Sequence, residues 1–447
     1  MSNKSPSSSS SPRFLDQGTY GCIHRPPLRC RSPSNMNYTG KVSKLISNED
    51  ATKELGEYVL MDRADPQRKF YLGKPETCPV SQEPVNQAPI AKCDMADSVE
   101  EDPDNYQLIL MKDGGINLQR FANEMSSFPV TDTNRQRMEE FWIEIHRMLL
   151  GIRAFLKNNV VHHDVKAPNM VYDTKKKRMN FIDFGMMETI TSAIADCKRS
   201  EYEWNRNWWY FPFESILLDE DNYIKNVRDM NLGANAQAFI QKHRKTDNWM
   251  NDFIQQAHLQ EDDMELLLQD FVDFLKEADN KTVKYDDFLP QYFNTLDIYG
   301  LGIACLHILY ATRKFMSNEF VISAKALFMR MICFHPMKRI TIESLLNEYE
   351  NMLESTGIAS KYSIQFDSST HSLRYNTKTN VEEAATQMVQ ESKKRKRSSR
   401  QLSARAEQDP IPIIISKSAE SRPRRRSERL KRKSERKKSR RTRKMTT

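Results

Sequence analysis

The chain has seven cysteines but no Cys-x-x-Cys pair, and the spacing of Cys22, Cys30, Cys78, Cys93, Cys197, Cys305 and Cys333 is irregular. That excludes the usual structural zinc patterns. The odd count leads us to expect reduced thiols, as in cytosol or nucleus. No apolar run reaches the length of about 18 residues that a membrane span needs, so no span is expected. The opening MSNKSPSSSSSP is polar and serine-rich and lacks the apolar centre of a secretory signal, so the protein is not expected to be secreted. Glycine is scarce, 13 in 447 residues, while methionine is plentiful at 22, a balance that suits a helix-rich body. Mean hydropathy is low at −0.71, so part of the length is expected to be disordered.

Charge is present but unevenly placed. From Lys393 onward 23 Lys and Arg stand against 5 Asp and Glu, a net +18; with the whole chain at +8, the rest carries −10. An acidic body with a basic tail implies two separate tasks.

The pattern along the chain divides it as follows. Residues 1–12 form a disordered leader. Residues 13–115 hold a glycine-containing turn, an extended stretch and the start of a helix. Within them, 73–105 is proline-rich and acidic and reads as an inserted loop. Tyr106–Met111 reads as a strand ending in a turn. Residues 116–358 carry an amphipathic helix at 139–158, with Phe141, Ile145, Leu149, Ile152 and Phe155 at three- and four-residue steps. Two short β-runs follow, Asn169–Tyr172 and Arg178–Ile182. Residues 217–293 form a helical insertion. Leu296–Ala311 is apolar almost all round and reads as a buried helix. Further helices are expected near 322–333 and 341–354. Residues 359–447 form a linker and a disordered basic tail.

The residues that carry chemistry stand in two blocks, VVHHDVKAPN (160–169) and FIDFG (181–185). Asp164 and Asn169 are five apart in a loop, and Asp183 follows Asp164 by 19 residues, beyond a hairpin. Phosphoryl transfer needs a carboxylate to orient the incoming hydroxyl, oxygen ligands for Mg²⁺ and a cation near the moving phosphate. Asp164, Asn169 with Asp183, and Lys166 supply these in turn.

These blocks resemble the HRDxKxxN and DFG motifs of eukaryotic-type protein serine/threonine kinases, in the same order and separation. The resemblance implies an α+β fold of two lobes, a β-rich lobe (13–115) and a helical one (116–358), binding ATP and Mg²⁺ between them. It implies that Gly18, Gly21 and Ile23 belong to the loop over the phosphates, although Asp16 stands where the first glycine of GxGxxG would be. It implies a lysine on the third strand, Lys44 or alternatively Lys41, paired with a helix carboxylate, Glu54 or alternatively Glu57. The segment WWYFPFE (208–214) resembles the end of an activation segment, Asp297 opens a block like the start of the buried central helix, and Arg339 resembles the late arginine. A Glu214–Arg339 ion pair is therefore expected. Lys166 resembles the serine/threonine class. His163 replaces the arginine that in this family neutralises an activation-loop phosphate, so activity is expected not to depend on phosphorylation at Thr189, Thr191, Ser192 or Ser200. The YGC, VSKL and WWYFPFE blocks together are similar to the kinases of large nucleocytoplasmic DNA viruses, which implies host cytoplasm or virion, or the nucleus, as the setting.

A protein substrate is the expected partner. The tail 393–447 is expected to bind a polyanion or nucleic acid by counterion release, and its few aromatics argue against base stacking. Serines 398, 399, 427, 434 and 439 lie beside its basic runs, where phosphate would weaken that hold. The rival readings are a pseudokinase scaffold, a nucleic-acid-binding packaging protein and, less favoured by the long activation segment, a small-molecule kinase.

Overall fold

The structure is a computed structural model, and it describes residues 11–18, 21–32, 36–202, 208–223, 227, 235, 238 and 248–375. The basic tail, nearly all of the leader, and Thr19 and Tyr20 of the glycine turn lie outside the described residues, as does most of 224–247.

The architecture is mixed α+β, an N-terminal antiparallel sheet followed by helices. Strands β1 (Phe14–Gly18), β2 (Gly21–His24), β3 (Lys41–Ser47), β4 (Glu76–Pro79) and β5 (Tyr106–Lys112) form one sheet in the order β1-β2-β3-β5-β4. Helix α1 (Asn48–Ala64) leaves β3 directly. Ser47 caps it by accepting the Asp50 N–H at 3.1 Å, and Glu49 and Asp50 in the first turn complement the helix dipole. Leu45, Ile46, Leu108, Ile109 and Leu110 are buried and hold the sheet together.

The inserted stretch 73–105 is more ordered than its composition suggests. It contributes β4 and the helices α2 (Pro84–Ile90) and α3 (Ala96–Glu101). Proline at the first position of α2 starts that helix, because the missing N–H falls where no intrahelical partner exists. Two disulfides tie the stretch down, Cys30–Cys78 and Cys22–Cys93, with Cα–Cα distances of 5.7 and 6.0 Å. The expectation of reduced thiols is thus overturned for these four cysteines, since irregular spacing in sequence says nothing about which strands fold side by side. Cys197, Cys305 and Cys333 are free and buried.

Strand β6 (Ile116–Asn117) and helix α4 (Leu118–Ser127) lead to α5 (Asp132–Lys157), capped by Thr131, whose hydroxyl accepts the Asn134 N–H at 3.2 Å. The stripe Phe141, Ile145, Leu149, Ile152 and Phe155 is buried as its spacing requires, and Trp142 joins it. Each such side chain contributes about 1.5–3 kcal/mol on burial. Strands β7 (Val160–Val161), β8 (Met170–Asp173) and β9 (Arg178–Phe181) follow; β6, β8 and β9 form a small sheet, and β10 (Glu188–Thr189) pairs antiparallel with β7. Helix α6 (Ile190–Lys198) comes next.

The C-terminal helices are α7 (Glu220–Tyr223), α8 (Asn248–Ala257), α9 (Glu261–Asp279), α10 (Tyr285–Thr312), α11 (Asn318–Met331), α12 (Ile342–Ser355) and α13 (Ile358–Lys361). Helix α10 starts well before the Leu296 expected from sequence. Pro290 lies in the second turn, where it forfeits one hydrogen bond to the residue four before it, and burial of Phe288, Leu289, Tyr292 and Phe293 offsets that loss and holds the first turns in place. The stretch Tyr285–Phe315 is long and apolar enough to cross a membrane, yet 83% of its most apolar window is buried inside the protein, as suits a core helix. Regular structure continues past residue 358: after α13, β11 (Ile364–Phe366) pairs with β12 (Leu373–Tyr375).

Candidate functional site

The loop between β7 and β8 carries Asp164, Lys166 and Asn169. Its backbone is held from below by α10: the buried Asp297 carboxylate accepts the N–H groups of His162 at 2.8 Å and His163 at 3.0 Å. Asp297 therefore acts from mid-helix, not as a helix-terminal acid, and burial raises its pKa. Gly300, one turn further on, allows the approach. A Cβ there would stand 2.1 Å from the Val165 carbonyl oxygen.

Within the loop, Asn169 Nδ2 donates to the Asp164 carbonyl at 3.0 Å and to Asp164 Oδ2 at 2.7 Å. Lys166 Nζ lies 2.7 Å from Asp164 Oδ1. The Asp164 side chain is only 9% exposed. Burial pushes its pKa up to about 6; Asp183 adds to the rise, while Lys166 opposes it.

Asp183 is brought to this group by β9. Ile182 N–H donates to the Asn169 carbonyl at 3.0 Å, so the two blocks read in the sequence are joined by backbone. Asp183 itself is exposed and meets no hydrogen-bond donor among the described residues. Its φ of 64°, like the 66° of His163, is left-handed backbone that costs energy in a non-glycine residue and persists only where neighbours enforce it. Phe184 anchors the turn, packing edge-on against Tyr58 (centroids 5.3 Å) and Tyr71 (6.0 Å) and lying 5.5 Å from the His162 ring. Tyr58 belongs to α1, so the Asp183 turn is fastened to the helix that follows β3.

That helix carries the other half of the site. Lys44 forms an ion pair with Glu54, both side chains mostly buried. Lys41 instead pairs with Glu76 at 2.8 Å at the sheet surface, where Glu76 is 57% exposed. Of the alternatives left open by sequence, Lys44 and Glu54 are the pair that meets; Glu57 lies one turn on, beside Gly185. Register places Ile23, Lys44 and Ile109 as cross-strand neighbours on one face of the sheet. Gly21 is forced to be glycine: a Cβ there would stand 2.4 Å from the Leu45 carbonyl oxygen and 3.2 Å from Lys44 Cγ. Gly18 ends β1 opposite Gly21.

His163 has its own partners. Its Nε2 is 2.5 Å from the Tyr202 hydroxyl and its Nδ1 is 3.1 Å from the Met186 carbonyl. Sequence reasoning missed three features: the Tyr58 and Tyr71 contacts of Phe184, the disulfide between Cys22 and Cys93, and Tyr210. The ring of Tyr210 lies under Lys166 Nζ, 4.4 Å from the centroid, and the residue is buried. The aromatic run 208–211 was the available signal, but it marks a segment and not the direction of one ring.

Among the described residues no group of three or more His, Cys, Asp or Glu side chains is placed to hold a metal. A cavity of about 300 Å³ lies between α5, α10 and the start of α12, and one of about 370 Å³ lies beside the first turns of α10; neither is lined by Lys44, Glu54, Asp164, Lys166, Asn169 or Asp183. No model of a known protein family matches the chain, and no curated protein matches it.

Proposed function

We propose that the protein is a serine/threonine kinase with the two-lobed kinase fold, transferring the γ-phosphate of ATP to protein hydroxyls. The observation that carries this reading is the meeting of two sequence-distant groups around one helix: Lys44 with Glu54, and Asp183 with Asp164, Lys166 and Asn169, linked through Tyr58 and Phe184.

In this reading Lys44, steadied by Glu54, neutralises the α- and β-phosphates under the Gly18–Ile23 turn. Asp164 orients the acceptor hydroxyl and takes up its proton while the oxygen attacks the γ-phosphorus, the bond to the β–γ bridging oxygen breaks and ADP leaves. Lys166 balances charge on the moving phosphoryl group. Asp183 and Asn169 offer one exposed carboxylate and one amide oxygen. Such hard oxygen ligands suit Mg²⁺ when phosphate oxygens and water complete its shell. When bound, the ion would neutralise phosphate charge. Catalysis is then positioning and charge stabilisation, with no covalent work by the protein.

The tail 393–447 would tether the enzyme to a polyanion such as nucleic acid. A pseudokinase scaffold is the second reading, favoured by Asp16 in the glycine turn. Transfer of labelled phosphate from Mg-ATP to protein serine and threonine, compared with Asp164→Asn and Asp183→Asn, separates the two. The enzyme reading expects labelling lost by orders of magnitude in both variants. ATP binding with no transfer in any of the three would favour the scaffold.

A further inference from the structure

Asp164 and Asp183 come from different loops, so their relative placement depends on what ties those loops together. Two ties bracket the pair. On one side the Ile182 N–H donates to the Asn169 carbonyl at 3.0 Å, a backbone bond independent of any rotamer. On the other side the tie is a single side chain, the imidazole of His163, which stands directly before Asp164 in the chain. Its Nδ1 is 3.1 Å from the carbonyl of Met186, the residue after Gly185.

An imidazole that joins two loops is only as firm as its rotamer. The Met186 carbonyl can only accept, so Nδ1 carries the proton, and the Glu188 carboxylate 3.6 Å from the same nitrogen favours it there. In the neutral ring Nε2 is then left to accept, and the Tyr202 hydroxyl donates to it at 2.5 Å. The His163 side chain has no exposed surface and Tyr202 is 5% exposed, so these bonds are made in a dry setting. Phe293 of α10 stands edge-on to both rings, 5.9 Å from His163 and 5.5 Å from Tyr202, and Phe211 lies 6.5 Å from His163. Away from water a fully satisfied network is stiff, and a broken one is costly. The left-handed φ of 66° at His163 adds to the need for a held side chain.

We propose that Tyr202 is a positioning residue: through His163 it sets the placement of Asp164 and Asp183 relative to each other. It acts by fixing the ring that joins the two loops, so the far end of the segment after Asp183 governs both carboxylates at once. The consequence for phosphate transfer rests on the kinase reading, whereas the tie itself is testable without turnover.

Three variants of the full chain separate the parts. Tyr202→Phe keeps the ring against Phe293 and removes only the hydroxyl. His163→Asn keeps an amide near the place of Nδ1, tolerates the left-handed backbone and cannot reach Tyr202. Tyr349→Phe is the control, removing another buried hydroxyl, which donates to the Trp142 carbonyl at 2.6 Å, from α12 and outside this network. Thermal melting establishes that each variant is folded.

The first measurement is hydrogen exchange read by mass spectrometry, with no ligand. The reporters are the amides of His162 and His163, bonded to Asp297, that of Ile182, and that of Met187, which donates to the Phe184 carbonyl at 2.9 Å. Peptides covering 160–170 and 181–189 should exchange several-fold faster in Tyr202→Phe and in His163→Asn than in wild type, and unchanged in Tyr349→Phe. Loosening confined to the peptide around Tyr202, or equal loosening in the control, would overturn the proposal.

The second measurement is transfer from Mg-ATP to casein. In Tyr202→Phe and His163→Asn kcat should fall on the order of three- to thirtyfold, with ATP KM within about twofold of wild type. The double variant should be no slower than the slower single, because both break one tie. Losses that multiply in the double variant would show that the two side chains act independently and would overturn a role through His163. Should wild type transfer no phosphate while the exchange result holds, the kinase reading falls and the tie stands.

Discussion

Glu214 and Arg339, 125 residues apart, form an ion pair in which neither side chain has any exposed surface. Arg339 is held further by Nε donating to the Cys333 carbonyl at 2.9 Å, by Nη1 donating to Thr295 Oγ1 at 3.2 Å, and by the Tyr299 ring 5.0 Å away. Burial pushes the Glu214 pKa up, and the guanidinium pulls it back. The pair ties the end of the 208–214 segment to the loop before α12. Removing one partner strands a buried charge, so Arg339→Ala and Glu214→Ala should each cost about 3–5 kcal/mol in urea unfolding. The double variant Glu214→Leu/Arg339→Met should recover much of that loss. Full additivity of the two single losses would show that the charges do not depend on each other.

The two candidate lysines of β3 should behave differently. Lys44 lies between Gly21 and Glu54, whereas Lys41 holds an exposed carboxylate at the sheet surface. Lys44→Met should abolish phosphate transfer and weaken ATP binding in calorimetry. Lys41→Met should leave both nearly unchanged and cost about 0–1 kcal/mol of stability. The reverse order of effects would transfer the nucleotide role to Lys41.

The disulfide Cys22–Cys93 fastens the residue after Gly21 to the 73–105 stretch, while Cys30–Cys78 lies further from the glycine turn. Loss of either bridge should cost about 2–4 kcal/mol. Only loss of the first should loosen the strand over Lys44. Cys93→Ser is therefore expected to raise the ATP KM several-fold, and Cys78→Ser to lower the melting temperature without that change. Equal ATP KM in the two variants would remove any link between the first bridge and the nucleotide.

How much of this was legible in sequence depended on whether the signal was local. The α5 stripe, the β3 alternation and the spacing of Asp164, Asn169 and Asp183 are local patterns, and the structure places each accordingly. The Glu214–Arg339 pair is not local; it came from the resemblance of two blocks to a known family, and the geometry agrees with it. The disulfides, the order within 73–105, the early start of α10 and the position of Tyr210 came from neither source. Each depends on which segments fold side by side, and a proline or an acidic stretch reads as loop until burial elsewhere outweighs it.

The segment after Asp183 is held by unmodified contacts. Strand β10 pairs with β7, Thr189 caps α6 by accepting the Ser192 N–H at 3.2 Å, Thr191 Oγ1 accepts from Asn159 at 2.8 Å, and His163 meets Tyr202. Alanine at Thr191, Ser192 or Ser200 should leave phosphate transfer close to wild type. Thr189→Ala should also preserve activity but lose about 1 kcal/mol in thermal melting, because the cap is lost. A collapse of transfer in any of these folded variants, rescued by an acidic residue, would mean that phosphate orders the segment after all.

Asp164 ties activity and stability to pH in opposite directions. Its folded pKa of about 6 lies above the value of 3.8 expected when unfolded. Between those values the native state binds the proton and the unfolded state does not. The stability it contributes is present below 3.8 and is lost as pH rises through about 6, a change on the order of 2–3 kcal/mol as an upper bound. The charged form is the one that can orient an acceptor hydroxyl, so kcat/KM should rise with pH across the same range. Comparing unfolding free energies at about pH 5 and pH 7 for wild type and Asp164→Asn isolates this group from the other carboxylates. The difference between the two proteins should shrink or reverse in favour of the variant as pH rises, since Asn never pays for a buried charge. A pH-independent difference would place the Asp164 pKa near its unfolded value and remove burial as the cause of its behaviour.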